Sequence, residues 1–97
     1  MTSQKFRTVE ISDSEAVQKC LEILEAAARV SNFSITPDGR VSESDAAALL
    51  GVAPLTLRNW RLATAAIPWH RIGGPAGRVT YRLADLAAHI EAARESR

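Results

Sequence analysis

Between residues 13 and 30 the apolar positions return every three or four residues, at Val17, Cys20, Leu21, Leu24, Ala27 and Ala28, with Glu15, Lys19, Glu22 and Glu25 off the stripe. That spacing predicts an amphipathic helix from Asp13 to about Val30. Ser12 followed by Glu15 reads as a capping box at its start, and Asn32 as its stop. Upstream, Lys5 to Ile11 alternates loosely and contains β-branched types, which predicts a short strand. Thr36-Pro37-Asp38-Gly39 carries turn chemistry, because proline presets φ and glycine accepts a positive one. The turn divides the chain into an N-terminal appendage, residues 1–40 (short strand plus amphipathic helix), and a second module, residues 41–97.

The second module is punctuated more tightly. Ser42 with Asp45 opens a helix of about two turns that ends at Leu50, and Gly51 suits the left-handed conformation of a tight interhelical turn. Pro54 fits the first turn of a second helix running to about Ala63, where its missing N–H would have no partner anyway. Pro68 cannot sit inside a helix, so Ile67 to Ile72 reads as a strand. Gly73 to Gly77 is a turn, and Arg78 to Arg82 the returning strand. A closing helix from Leu83 to about Glu95 places Leu83, Leu86, Ala87 and Ile90 on one face. The small residues Ala46, Ala47 and Ala48 let the two short helices cross closely, with Leu50, Val52, Leu57 and Trp60 packed between them. The expected fold class is mainly α with a small β-hairpin.

Composition narrows the function classes. At 97 residues the chain supports one modest core. No apolar run reaches the length of a membrane span, and the N-terminal residues lack the apolar centre of a signal peptide, so the expected location is cytoplasmic. Cys20, the only cysteine, lies in the apolar stripe and reads as a buried thiol. His70 and His89 have no companions at metal-ligand spacing, so no metal and no cofactor is expected. The Gly-rich turn lacks the Lys-Ser/Thr sequel of a phosphate loop, and no nucleophile set stands out, so a non-enzyme is expected.

Net charge is only +1, but the distribution is uneven. No acidic residue occurs between Asp45 and Asp85, while that stretch holds Arg58, Arg61, Arg71, Arg78 and Arg82. Such segregation suits a surface that meets nucleic acid. On the second helix of the pair, Pro54, Leu55, Arg58, Asn59 and Leu62 fall on the outward side. Arginine can pair bidentately with guanine and asparagine with adenine, so Arg58 and Asn59 are candidate base contacts. Leu55 suits either a thymine methyl or a protein partner. Thr56 and Arg61 are better placed for phosphates. Trp60 is expected in the core, and Trp69 is open between core and solvent.

The ordered set Leu49, Leu50, Gly51 and Val52; Thr56, Leu57, Arg58, Asn59 and Trp60; Pro68, Ile72, Gly73 and Gly74; and Val79, Tyr81, Arg82, Asp85 and Leu86 resembles the winged helix-turn-helix of the excisionase and MerR-like families. The resemblance covers Val41 to about Ala93. It implies a winged helix-turn-helix with an extra N-terminal helix, a recognition helix beginning at Pro54, and a β-hairpin wing. Arg71, Arg78 and Arg82 would then contact the DNA backbone. The function implied is sequence-specific binding of double-stranded DNA, as an excisionase-like recombination directionality factor or a small regulator of a phage or mobile element, acting at the nucleoid. The alternatives are a phage small terminase subunit, disfavoured by the absence of a coiled-coil extension after Arg97, and a winged module used only to bind protein. For the N-terminal helix two roles stay open: self-association or docking on an integrase or other protein, and packing on the chain's own closing helix against Leu86 and Ile90.

Overall fold

Capping chemistry sets most of the element boundaries in the computed structural model, which describes residues 2–94, with side chains described from residue 15 to residue 93. Helix α1 (Thr2–Val30) closes with a Schellman turn: Asn32 sits at φ 60°, its N–H bonds to Arg29 O at 3.0 Å, and Phe33 N–H bonds to Ala28 O at 2.9 Å. The turn at Thr36 is closed by Gly39 N–H on Thr36 O at 2.9 Å. Strand β1 (Arg40–Ser42) follows, then helix α2 (Glu43–Leu50). Ser42 caps α2, its hydroxyl accepting from Asp45 N–H at 3.1 Å. Gly51, at φ 77°, ends it with a second Schellman turn, Gly51 N–H to Ala48 O and Val52 N–H to Ala47 O. Pro54 then opens helix α3 (Pro54–Ala63). Strands β2 (His70–Ile72) and β3 (Arg78–Arg82) and helix α4 (Leu83–Arg94) complete the order.

The described residues thus form four helices and a small three-stranded antiparallel sheet of order β1-β3-β2. Val41 stands opposite Tyr81 on one side of β3, and Arg71 opposite Val79 on the other. The third strand was not expected. β1 is three residues long, too short for any periodicity, and is a strand only because β3 offers it an edge.

Two further expectations are corrected. Lys5 to Ile11 is not a strand but part of α1, and the helix runs on through Ser12, so Ser12 and Glu15 do not mark its start. A helix already nucleated downstream adds one hydrogen bond per residue fixed, whereas a strand there would need a sheet edge to pair with. The strand expected over Ile67 to Ile72 shrinks to β2, because Pro68 has no N–H for a ladder; Ile67 is instead a buried anchor. Glu95, the expected end of the closing helix, lies outside the described residues.

One apolar cluster holds the described residues together. It joins Cys20 and Leu24 of α1, Val41 of β1, Ala46 and Ala47 of α2, Leu57 of α3, Ile67, Tyr81 of β3, and Leu83, Leu86 and Ala87 of α4. Each fully buried leucine contributes about 2 kcal/mol of apolar transfer. Ala46 and Ala47 keep the helices close, while Ala48 faces solvent. α1 packs chiefly on α4, and of the stripe Cys20, Leu24 and Ala28 are buried within the chain, with Val17 and Leu21 half-buried beside them. Among the described residues no helix is long and apolar enough to cross a membrane.

Candidate nucleic-acid interface

α3 buries one residue, Leu57. Its outward residues Leu55, Arg58, Asn59 and Leu62 fall at i, i+3, i+4 and i+7, which places them on one face. All four are exposed, Leu55 by 62% and Leu62 by 61%. Arg58 and Asn59 make no hydrogen bond or ion pair with the described residues, though the charge of Arg58 reaches Glu43 and favours its ionised form. Thr56 is half-buried. Trp60, expected in the core, is 38% exposed and tilted against the His89 ring at a centroid distance of 6.2 Å. The buried side of α3 is only one residue wide, so Trp60, one turn beyond Leu57, already lies at its margin.

Arg61 does something other than wait for a phosphate. Its Nε donates to Glu43 Oε2 at 2.7 Å and its Nη2 to Glu43 Oε1 at 3.1 Å, with only 10% of its side chain exposed. The Tyr81 hydroxyl donates to the same carboxylate at 3.0 Å. Burial opposes the charge of Glu43, but the hydrogen bonds from Arg61 and Tyr81 outweigh it and hold the carboxyl below its ordinary value. Burial, and then the neighbouring carboxylate, push the Tyr81 phenol well above its ordinary value. A bidentate bond to Glu43 likewise raises Arg61. Arg61 is therefore a clamp between α3 and the first turn of α2, a role its sequence position does not suggest.

The hairpin forms the other half of the surface. Gly73 and Gly74 take φ of 89° and 82° in its turn, and Gly77 lies so close to the Ile72 carbonyl that a Cβ there would stand 1.6 Å from the oxygen. Arg71 Nη1 donates to Gly77 O at 3.1 Å. The Arg71 guanidinium also lies 5.5 Å from the centre of the Trp69 ring, and Arg61 approaches the same ring to 5.3 Å. Arg78 is exposed at the start of β3 beside the turn. Arg82 is not with it. Four residues along β3, roughly 13 Å away, Arg82 borders a shallow depression with Leu21, Glu25 and Asp38, at the α1 end of the sheet.

The fold thus gathers Leu55, Arg58 and Asn59 on α3, puts Arg71 and Arg78 on the hairpin, withdraws Arg61 into a clamp and carries Arg82 to the opposite end. Glu43 and the contacts of Trp69 were missed. One signal was available for Glu43: just ahead of an acid-free stretch of five arginines, Glu43 and Asp45 are the nearest carboxylates for any arginine that must be neutralised internally. Among the described residues no group of three or more His, Cys, Asp or Glu is placed to hold a metal ion. No family model matches the chain, and comparison with curated proteins and with solved structures returns no match.

Proposed function

We propose that the chain is a duplex-DNA-binding protein of winged helix-turn-helix type, with α2, the Gly51 turn and α3 as the helix-turn-helix and the β2–β3 hairpin as the wing. The observation that carries this reading is the face of α3 bearing Leu55, Arg58, Asn59 and Leu62, which is exposed and makes no hydrogen bond or ion pair with the described residues. Arginine and asparagine side by side suit guanine and adenine edges in a major groove, and Arg71 and Arg78 on the hairpin suit adjacent phosphates. Within this reading the chain serves as an excisionase-like directionality factor or a small regulator of a mobile element, at the nucleoid. The two exposed leucines support a second reading, in which α3 docks on another protein.

Fluorescence anisotropy against duplex DNA at several salt concentrations tests the choice. About three to four phosphate contacts give a log–log salt slope of roughly −2.7 to −3.6. Arg58→Ala should cost about 1–3 kcal/mol at a preferred site and flatten the preference. Absence of binding at low salt to any duplex from the chain's own genome would refute the DNA reading and leave the protein-docking one.

A further inference from the structure

The hairpin has few supports. β2 packs broadly on β3 alone, and α3 broadly on α2 alone. Six residues without helix or strand, 64 to 69, connect α3 to β2. At the end of that connection stands Trp69, half-buried against the core cluster, with the guanidinium groups of Arg61 and Arg71 both on its ring. Each guanidinium is held at its other side. Arg61 is fixed by two hydrogen bonds to Glu43 at the start of α2, and Arg71 donates to the Gly77 carbonyl in the hairpin turn. An unbroken line of contacts therefore runs from α2 through the end of α3 and Trp69 to the tip of the hairpin.

We infer that Trp69 is a positioning residue that fixes the hairpin relative to α3, so that Arg78 on the hairpin and Arg58 and Asn59 on α3 meet one duplex at the same time. The inference rests on the DNA-binding reading for its purpose, but not for its mechanics. An indole suits the task because its ring attracts cations without neutralising them, so Arg71 keeps its charge for the surface while its position is set. A carboxylate in place of Trp69 would hold Arg71 as firmly and cancel the charge. Preorganisation of this kind removes the ordering cost that a loose hairpin would pay on binding.

Two measurements on the full chain test it. The first needs no DNA: amide hydrogen exchange of the hairpin, compared with that of α2 and α3. Trp69→Ala should speed exchange at Ile72, Gly77 and Arg78 by about tenfold or more while α2 and α3 keep their protection, and Trp69→Phe should restore most of the difference. The second is a double-mutant cycle in DNA binding. In the parent chain Arg78→Ala should lose about tenfold in affinity at 0.1 M salt, the worth of one phosphate contact. In the Trp69→Ala background the same change should cost almost nothing, while Arg58→Ala should cost the same in both backgrounds. Should Trp69→Ala fail to fold, Arg71→Leu leaves the indole in place and removes the bridging cation together with its own phosphate contact; the parent affinity then drops, and the same loss of hairpin protection and the same vanishing cost of Arg78→Ala are expected. Unchanged hairpin protection, or an equal cost of Arg78→Ala with and without Trp69, overturns the inference. If the parent chain binds no duplex, the DNA reading falls and the exchange measurement alone decides the positioning role.

Discussion

α1 and α3 are both helices with apolar residues on a regular stripe, yet they use those residues in opposite ways. α1 turns Cys20, Leu24 and Ala28 of its stripe inward, chiefly on the α4 side, and leaves Ile23 and Val30 exposed off that stripe. α3 spends Leu57 on the core and leaves Leu55 and Leu62 in water. Apolar side chains left in water on a short helix beside a basic hairpin bring the fold no burial. On the reading proposed above, their use lies in what α3 meets outside the chain. The same residue type is thus buried on one helix and exposed on the other, and only the position of neighbouring elements separates the two.

The contrast can be broken most forcefully at Leu24. Leu24→Ala should cost about 2–5 kcal/mol, the range for emptying a leucine site in a packed core, read as a shift in the urea midpoint. A loss below about 1 kcal/mol would mean that α1 is only loosely docked. A loss of secondary structure confined to α1, with α2 to α4 intact, would mean that it is a separable appendage.

The clamp joining α2 to α3 gives an intermediate effect. Glu43→Gln removes the charge between Arg61 and Tyr81 and should cost about 1–3 kcal/mol. The pH dependence follows from the two shifts. Because the Glu43 carboxyl is lowered in the fold, its stabilisation is fully present above about pH 4.5, the ordinary value, and is lost as pH falls through the lowered one. Because the Tyr81 phenol is raised, its contribution is present below pH 10.0, the ordinary value, and is lost as pH climbs toward the raised one. Tyr81 is the only tyrosine, so phenolate absorbance reads it directly. The folded chain should ionise at higher pH than the urea-unfolded chain, and Glu43→Gln should narrow that gap. Coincident titration curves would remove the buried hydrogen bond from the account.

The smallest expected effect sharpens the comparison from the other side. Leu55→Ala and Leu62→Ala should each change stability by no more than about 0.5 kcal/mol, as for surface positions generally. Leu55→Ala should nonetheless alter preference at a thymine-bearing site if the helix enters a major groove. A stability loss near that of Leu24→Ala would place these leucines in a core and undo the contrast.

Much of this was legible in local chemistry. The bounds of α2, α3 and β3 follow from Ser42, Gly51, Pro54 and the glycines of the hairpin turn, each acting on its own few residues. The outward face of α3 followed from spacing alone. What depends on a distant partner was not legible. Glu43 meets Arg61 eighteen positions on and Tyr81 thirty-eight on. No window of sequence contains both ends of those bonds, so Arg61 looked available when it was engaged. β1 escaped for the same reason, and residues 5–11 misled because a loose seven-residue alternation fits a helix as well as a strand.

The order β1-β3-β2 also dictates when the molecule can come together during synthesis. The central strand is the last one made: β1 can pair only after residues 78–82 have left the ribosome, and α1 finds its main packing surface only when α4 has followed. At roughly 5–20 residues per second, residues 40–42 spend seconds without their partner. During that interval the stripe of α1 is uncovered apolar surface that a chaperone could hold. Closure then waits for β3 and α4 together, so these elements should fold in a single event and not by stepwise accretion from α1 onward.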